Sequence, residues 1–195
     1  MQSPGGSAIR AAALVCAVLL AGCAGVQRET QHPPVTFAAA RNAFDVTGRL
    51  SLRKGSEALT GSFHWQHQPE NDQIDLVSPT GQTLARLRGS RDFASLQMAD
   101  GRIETAANWD ALTARELDWS LPVSGLAFWI QGVPRPGSTF AAETESGDEP
   151  KLLRQDGWTI LYQAFAPDNQ GVARPARMVL SYPEVELRMA VDAWQ

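Results

Sequence analysis

Apolar and polar residues alternate with a period of two over much of the chain, the pattern of strands that bury one face. Val46, Gly48, Leu50 and Leu52 fall on one face of a strand whose other face carries Thr47, Arg49, Ser51 and Arg53, and Lys54-Gly55-Ser56 supplies a turn. Leu59, Gly61, Phe63 and Trp65 then point one way and Thr60, Ser62, His64 and Gln66 the other, so the two runs predict a hairpin. Pro69 to Asp72 breaks the second run. Further strands are predicted at residues 73–77, 83–88, 93–98 and 102–105, with turns at Ser78-Pro79-Thr80-Gly81, Gly89 to Arg91 and Asp100-Gly101. The pattern returns at residues 152–154, 158–164, 177–181 and 185–193, and the last run sets Val185, Leu187, Met189, Val191 and Ala193 on one side. Short strands punctuated this regularly predict an all-β sheet curled into a barrel or sandwich.

The period changes to that of a helix in three places. Residues 37–44 read as a short helical pattern. Asn108 can cap a helix carrying Trp109, Leu112 and Leu117, and a second helix after Pro122 spaces Val123, Leu126, Ala127 and Ile130 at helical intervals until Gly132 and Pro134 stop it. Trp119, Phe128 and Trp129 give this region more apolar surface than one helix face needs to bury. Residues 136–150 read as a variable stretch without periodicity.

The N-terminus belongs to neither pattern. Arg10 is the only charge before an unbroken apolar run over residues 11–20, followed by small residues and Cys23, which makes a positive n-region, an apolar h-region and a cleavage site. A run this short falls well below the roughly twenty residues a spanning helix needs, so the segment is expected to be removed. Leu20-Ala21-Gly22-Cys23 resembles the bacterial lipobox, in which the lipidated cysteine becomes the new N-terminus. An ordinary secretory signal ending near a cysteine is the plainer alternative. Cys16 lies inside the apolar run, so the mature chain would keep Cys23 alone and could form no internal disulfide. Residues 24–36 are polar and contain Pro33-Pro34, too little apolar surface to order themselves. The expected division is a signal peptide over residues 1–22, a lipidated tether over 23–36 and one domain over 37–195, long enough for a single core.

Charge and candidate chemistry narrow the function by exclusion. Seventeen basic against 21 acidic residues give a net charge of -4, with no basic face to neutralise phosphates, so nucleic acid is not an expected partner. His32 falls in the tether, and His64 and His67, three apart on a strand, face opposite sides and cannot chelate one metal locally. Asp148-Glu149 sits where a solvated loop is the ordinary reading. The chain has no Gly-x-Ser-x-Gly, phosphate-binding glycine loop or Cys-His zinc spacing, and an enzyme is not expected. Six tryptophans against two tyrosines make the aromatic residues more informative than the charges, with core packing as their plain reading.

Phe44-Asp45-Val46-Thr47-Gly48-Arg49-Leu50, Gly61-Ser62-Phe63-His64-Trp65, Ser78-Pro79-Thr80-Gly81, Leu121-Pro122-Val123, Trp129-Ile130-Gln131-Gly132 and Gly157-Trp158 with Tyr162 occur in an order and spacing that resembles the LolB family of outer-membrane lipoprotein receptors. The resemblance covers most of the mature chain. It implies a mainly β fold, an open, incomplete antiparallel β-barrel of about eleven strands with a short helical lid. It also implies an apolar cavity for lipoprotein acyl chains, for which Phe63, Trp65, Leu76, Leu126, Trp129 and Trp158 are the candidate lining. Leaving acyl methylenes in water costs about 0.8 kcal/mol each, which is the reason a carrier is needed. The implied partners are a periplasmic carrier of the LolA type and the outer membrane, where a lipid-anchored monomer would face the periplasm with no cofactor beyond the covalent lipid on Cys23. Ala24 fits that location, since inner-membrane retention in the best-known systems uses aspartate there. Pro79, Thr80 and Gly81 would form a membrane-contact loop, with threonine where the family carries a protruding leucine. The competing reading is a structural lipoprotein that scaffolds an envelope complex and uses its aromatic residues only as core.

Overall fold

A computed structural model describes residues 35–117, 123–145 and 149–195. The signal segment, Cys23, the tether as far as residue 34, Trp119, Leu121-Pro122 and Asp148 lie outside the described residues.

Among the described residues, eleven strands pair antiparallel in one unclosed sheet. Six run as a meander, β1 (Phe44–Lys54), β2 (Glu57–Gln68), β3 (Asn71–Val77), β4 (Thr83–Gly89), β5 (Ala94–Met98) and β6 (Ile103–Ala106). Helices α1 (Trp109–Leu117) and α2 (Val123–Trp129) follow, and then β7 (Phe140–Glu143), β8 (Leu152–Gln155), β9 (Trp158–Pro167), β10 (Ala173–Tyr182) and β11 (Val185–Trp194). The order across the sheet is β6-β5-β4-β3-β2-β1-β11-β10-β9-β8-β7. The first and last strands therefore pair at its centre, while β6 and β7, which flank the helices in sequence, are the two free edges. The alternation supplies the register: Leu50 lies opposite Gly61 and Gly48 opposite Phe63, so the inner faces of β1 and β2 coincide. Gly48 is required by close approach, because a Cβ there would stand 2.3 Å from the Ala190 carbonyl oxygen and 2.7 Å from the Phe63 ring.

The helix starts follow the expected chemistry. Asn108 caps α1 by accepting the Ala111 N–H at 2.8 Å, and α2 begins at Val123 directly after Pro122. Three expectations fail. Residues 37–44 form no helix, and Phe44 already belongs to β1. Their backbone is committed elsewhere: the Arg41 N–H donates to Gln131 Oε1 at 2.7 Å and the Ala39 carbonyl accepts from Arg174 Nη2 at 2.9 Å. Residues 136–150 hold an edge strand, β7, which pairs with β8 from Phe140↔Gln155 to Glu143↔Leu152. Finally, the clean alternation of β11 slips at Asp192. Gly48 pairs with Val191 and Thr47 with Ala193, so one residue bulges out, Ala193 becomes exposed and Trp194 turns its ring onto Phe44.

Candidate functional site

The inner faces of β1 to β5 and β11 and the facing sides of α1 and α2 enclose an apolar cavity of about 300 Å³. Phe63 and Trp65 on β2, Leu76 on β3 and Leu126 on α2 stand in its wall, four of the six residues proposed for it. Trp65 is held rigidly, because its indole N–H donates to Asp72 Oδ1 at 2.7 Å and the same oxygen meets His67 Nδ1 at 2.8 Å. Sequence reasoning missed Leu50, Leu52, Leu59 and Leu84, half-buried leucines near the β1–β2 and β3–β4 turns that form the rim. It also missed Thr113 and Glu116 on α1. The available signal was aliphatic: leucine recurs on the inner face of strands just where they approach their turns.

Trp129 and Trp158 are outside this wall. Trp129 is 1% exposed, its indole N–H donates to Gln155 Oε1 at 2.8 Å, and its ring lies 6.2 Å from that of Trp158. Trp158 stacks in turn on Tyr182. Gln155 completes the arrangement by accepting the Arg135 N–H and donating to the Arg135 carbonyl, both at 2.8 Å, while the Tyr162 hydroxyl donates to the Trp129 carbonyl at 3.1 Å. Burial pushes the Tyr162 hydroxyl well above the usual phenol range, so it stays a donor. These two tryptophans fill the β7–β10 side of the barrel. The helical spacing of Trp129 was legible, but helix spacing does not say which side of the core a face meets.

An ionic cluster ties down the chain just before β1. The Asp168 carboxylate is fully buried and meets Arg174 Nε at 3.3 Å and Arg41 Nη2 at 3.3 Å. Its other oxygen accepts the N–H groups of Gln170 at 2.8 Å and Val172 at 2.9 Å. Burial alone would raise this carboxyl. The two N–H donors and the two guanidiniums outweigh it and hold Asp168 below the usual carboxylate range.

The loop Ser78-Pro79-Thr80-Gly81 joins β3 to β4 at the rim end of the barrel. Gly81 donates to the Ser78 carbonyl at 2.9 Å, with a φ of 86° that glycine adopts without strain, and Ser78 Oγ lies 2.9 Å from Thr80 Oγ1. Pro79, Thr80 and Gly81 are all exposed. Elsewhere, His64 meets Asp45 at 2.6 Å and His67 meets Asp72, and among the described residues no three His, Cys, Asp or Glu side chains converge to hold a metal.

An open antiparallel barrel with a helix-covered aliphatic cavity is the build of a binding module for apolar groups. The chain belongs to the LolB family: the family described as Outer membrane lipoprotein LolB matches residues 42–194. It is 37% identical over 177 residues to the outer-membrane lipoprotein LolB of Thiobacillus denitrificans, covering 90% of this chain and 91% of the relative. It is 32% identical over 187 residues to that of Azoarcus sp., covering 96% and 95%. Among solved structures, a Vibrio parahaemolyticus domain provisionally assigned to outer membrane lipoprotein sorting superposes with a TM-score of 0.50 at 10% identity, over 79% of this chain and 85% of that one, a likeness of fold.

Proposed function

We propose that this chain is a lipid-anchored receptor of the outer membrane that accepts lipoproteins from a periplasmic carrier of the LolA type and delivers them to the membrane. Cys23 carries its lipid, the residues behind it form a tether, and the monomeric domain faces the periplasm. The observation that carries the reading is the cavity, whose wall is aliphatic and aromatic except for Thr113 and Glu116. Such a wall gains about 25 cal/mol for every Å² of apolar surface it takes from water, and an acyl chain is nearly all such surface. No covalent step is required, since the chains move toward whichever environment holds them better. At about 300 Å³ the cavity lies at the lower end of ligand pockets, roughly 300–1,000 Å³. A multiply acylated anchor therefore has to enter by displacing the helices or repacking the wall, and leucine and methionine side chains suit such repacking.

The test is saturable binding of a fluorescent fatty acid to the mature chain with Cys23→Ala, which removes the protein's own lipid. Displacement of the probe by a synthetic acylated peptide supports the receptor. Absence of saturable binding overturns it and favours a scaffolding lipoprotein. Mass spectrometry of the wild-type N-terminus tests the anchor separately, and an unmodified cysteine would sink the localisation.

A further inference from the structure

Among the described residues, the cavity wall carries one charged side chain. Glu116 lines the cavity in the last turn of α1, with its side chain only 14% exposed. A carboxylate set into an apolar wall costs desolvation that a methionine or leucine would not. Its compensation is partial: Arg115 Nε donates to Oε1 at 2.8 Å, while the other end of that guanidinium is drawn to β6 by the Thr105 carbonyl at 3.1 Å and Glu104 at 3.4 Å. Oε2 is left to accept. Thr113, one turn earlier on the same helix face, is the other polar side chain of the wall, its hydroxyl donating to the Trp109 carbonyl at 2.9 Å. Glu116 and Thr113 together make the polar strip of this wall, where the polar linkage of a ligand would find partners while its chains filled the apolar remainder.

We infer that Glu116 is a specificity-determining residue that favours an acylated N-terminal cysteine over anionic phospholipid. The inference rests on the proposed binding of acyl chains. The apolar wall cannot make this distinction, because the two ligands carry the same chains. Their linkages differ. Glyceryl ester oxygens, common to both, only accept hydrogen bonds and offer a carboxylate nothing. An N-acylated cysteine adds the amide N–H of its acyl group and the N–H of the following residue, both donors a carboxylate can receive. An anionic phospholipid such as phosphatidylglycerol presents an uncompensated phosphodiester instead, and two like charges near a low-dielectric wall repel strongly. A receptor working beside a membrane that contains anionic phospholipid gains from this discrimination, which keeps its cavity free for cargo.

The experiment uses the mature chain with Cys23→Ala, loaded with a fluorescent fatty acid. The probe is displaced either by a synthetic triacylated cysteinyl-serine peptide or by phosphatidylglycerol of matched chain length, and the ratio of the two displacement constants is read. Wild type is expected to prefer the peptide. Glu116→Gln, close in shape and uncharged, is expected to lower the preference about tenfold, and Glu116→Lys to move it further toward phosphatidylglycerol. Should the lysine variant fail to melt cooperatively, the glutamine variant decides alone. A ratio within about twofold of wild type in the folded variants overturns the inference and leaves acyl binding standing. If wild type binds the fatty acid but neither lipid, or binds nothing, the acyl-chain reading falls and this inference with it.

Discussion

The two sides of the barrel use the same alternating strands and the same kind of anchor, yet one side holds a cavity and the other a plug. Trp65 and Trp129 are each 1% exposed and each satisfies its indole N–H, the first on Asp72 and the second on Gln155. What surrounds them differs. Trp65 has Phe44 and His67 on one side, and on the other the inner faces carry leucine, isoleucine and methionine, flexible residues that leave room. Around Trp129 stand Trp158, Tyr162 and Gln155, large side chains whose polar ends lock one another in place. An unfilled void costs roughly 24 cal/mol for each Å³, so keeping the cavity open weighs on the order of several kcal/mol against folding. The plugged side supplies rigidity that the open side gives up.

The strongest way to break this comparison is to empty the plug. Trp129→Ala is expected to cost about 3–5 kcal/mol of stability, as large-to-small core changes with an orphaned polar partner do. Fatty-acid affinity of the folded fraction should stay near wild type. Thermal melts and probe titration read the two effects separately. A large loss of affinity with little loss of stability would place Trp129 functionally with the wall and dissolve the distinction drawn above.

Next in size is the ionic cluster on the plugged side. Asp168→Asn leaves Arg174 buried without its counter-charge, and breaking such a pair costs about 3–5 kcal/mol. The pH dependence has a definite sign. The folded carboxyl titrates below its unfolded value of about 3.9, so its contribution is complete above that pH and disappears as pH falls through the lower folded value. Melting temperature should therefore drop steeply below about pH 4 in wild type and less steeply in Asp168→Asn. Parallel acid limbs would show that Asp168 does not carry the linkage.

Filling the cavity is expected to have the opposite balance. Ala85→Phe adds volume in the wall of an existing void, so its stability change should stay below the roughly 1–3 kcal/mol of ordinary overpacking, while fatty-acid affinity falls about tenfold. Leu153→Trp, the matching insertion into a fully buried site on β8, should destabilise the fold and leave affinity alone. Similar stability losses in both variants would mean that the cavity is no more open than the core.

Much of this contrast could be read in advance, and the reasons it could not be read fully are physical. The strands β1 to β5 were legible because one face is buried and the other wet, which forces a period of two. β7 was not, because Phe-Ala-Ala-Glu at a sheet edge has no buried face to impose that period; Phe140 is 48% exposed. The run at residues 37–44 contains alanines that favour a helix, but partners far along the chain, Gln131 and Arg174, claim its backbone. Four wall residues followed from the resemblance and the strand faces together. Glu116 did not, since an isolated glutamate on a short helix reads as solvated until the opposite wall is in view.

The smallest expected effect concerns the rim, where cavity and membrane would meet. Thr80 projects from the β3–β4 turn, fully outside the wall, and its hydroxyl lies 2.9 Å from Ser78 Oγ. A leucine here would offer up to about 1.5–3 kcal/mol of transfer free energy if wholly buried, and only a fraction of that at a membrane surface. Threonine offers less area and a hydroxyl that prefers water. The apolar groups at the rim include Leu59 and Leu84, both half-buried, and a membrane meeting this end of the barrel would find them where the tip offers little. Delivery of a labelled lipoprotein from the loaded receptor to liposomes is therefore expected to rise a few-fold in Thr80→Leu and to fall in Thr80→Glu, with fatty-acid binding unchanged in both. Leu59→Ser should slow delivery at least as much as Thr80→Glu, because Leu59 offers the apolar surface that Thr80 lacks. Equal delivery rates for wild type and both Thr80 variants, beside a slowed Leu59→Ser, would assign membrane contact to the rim alone.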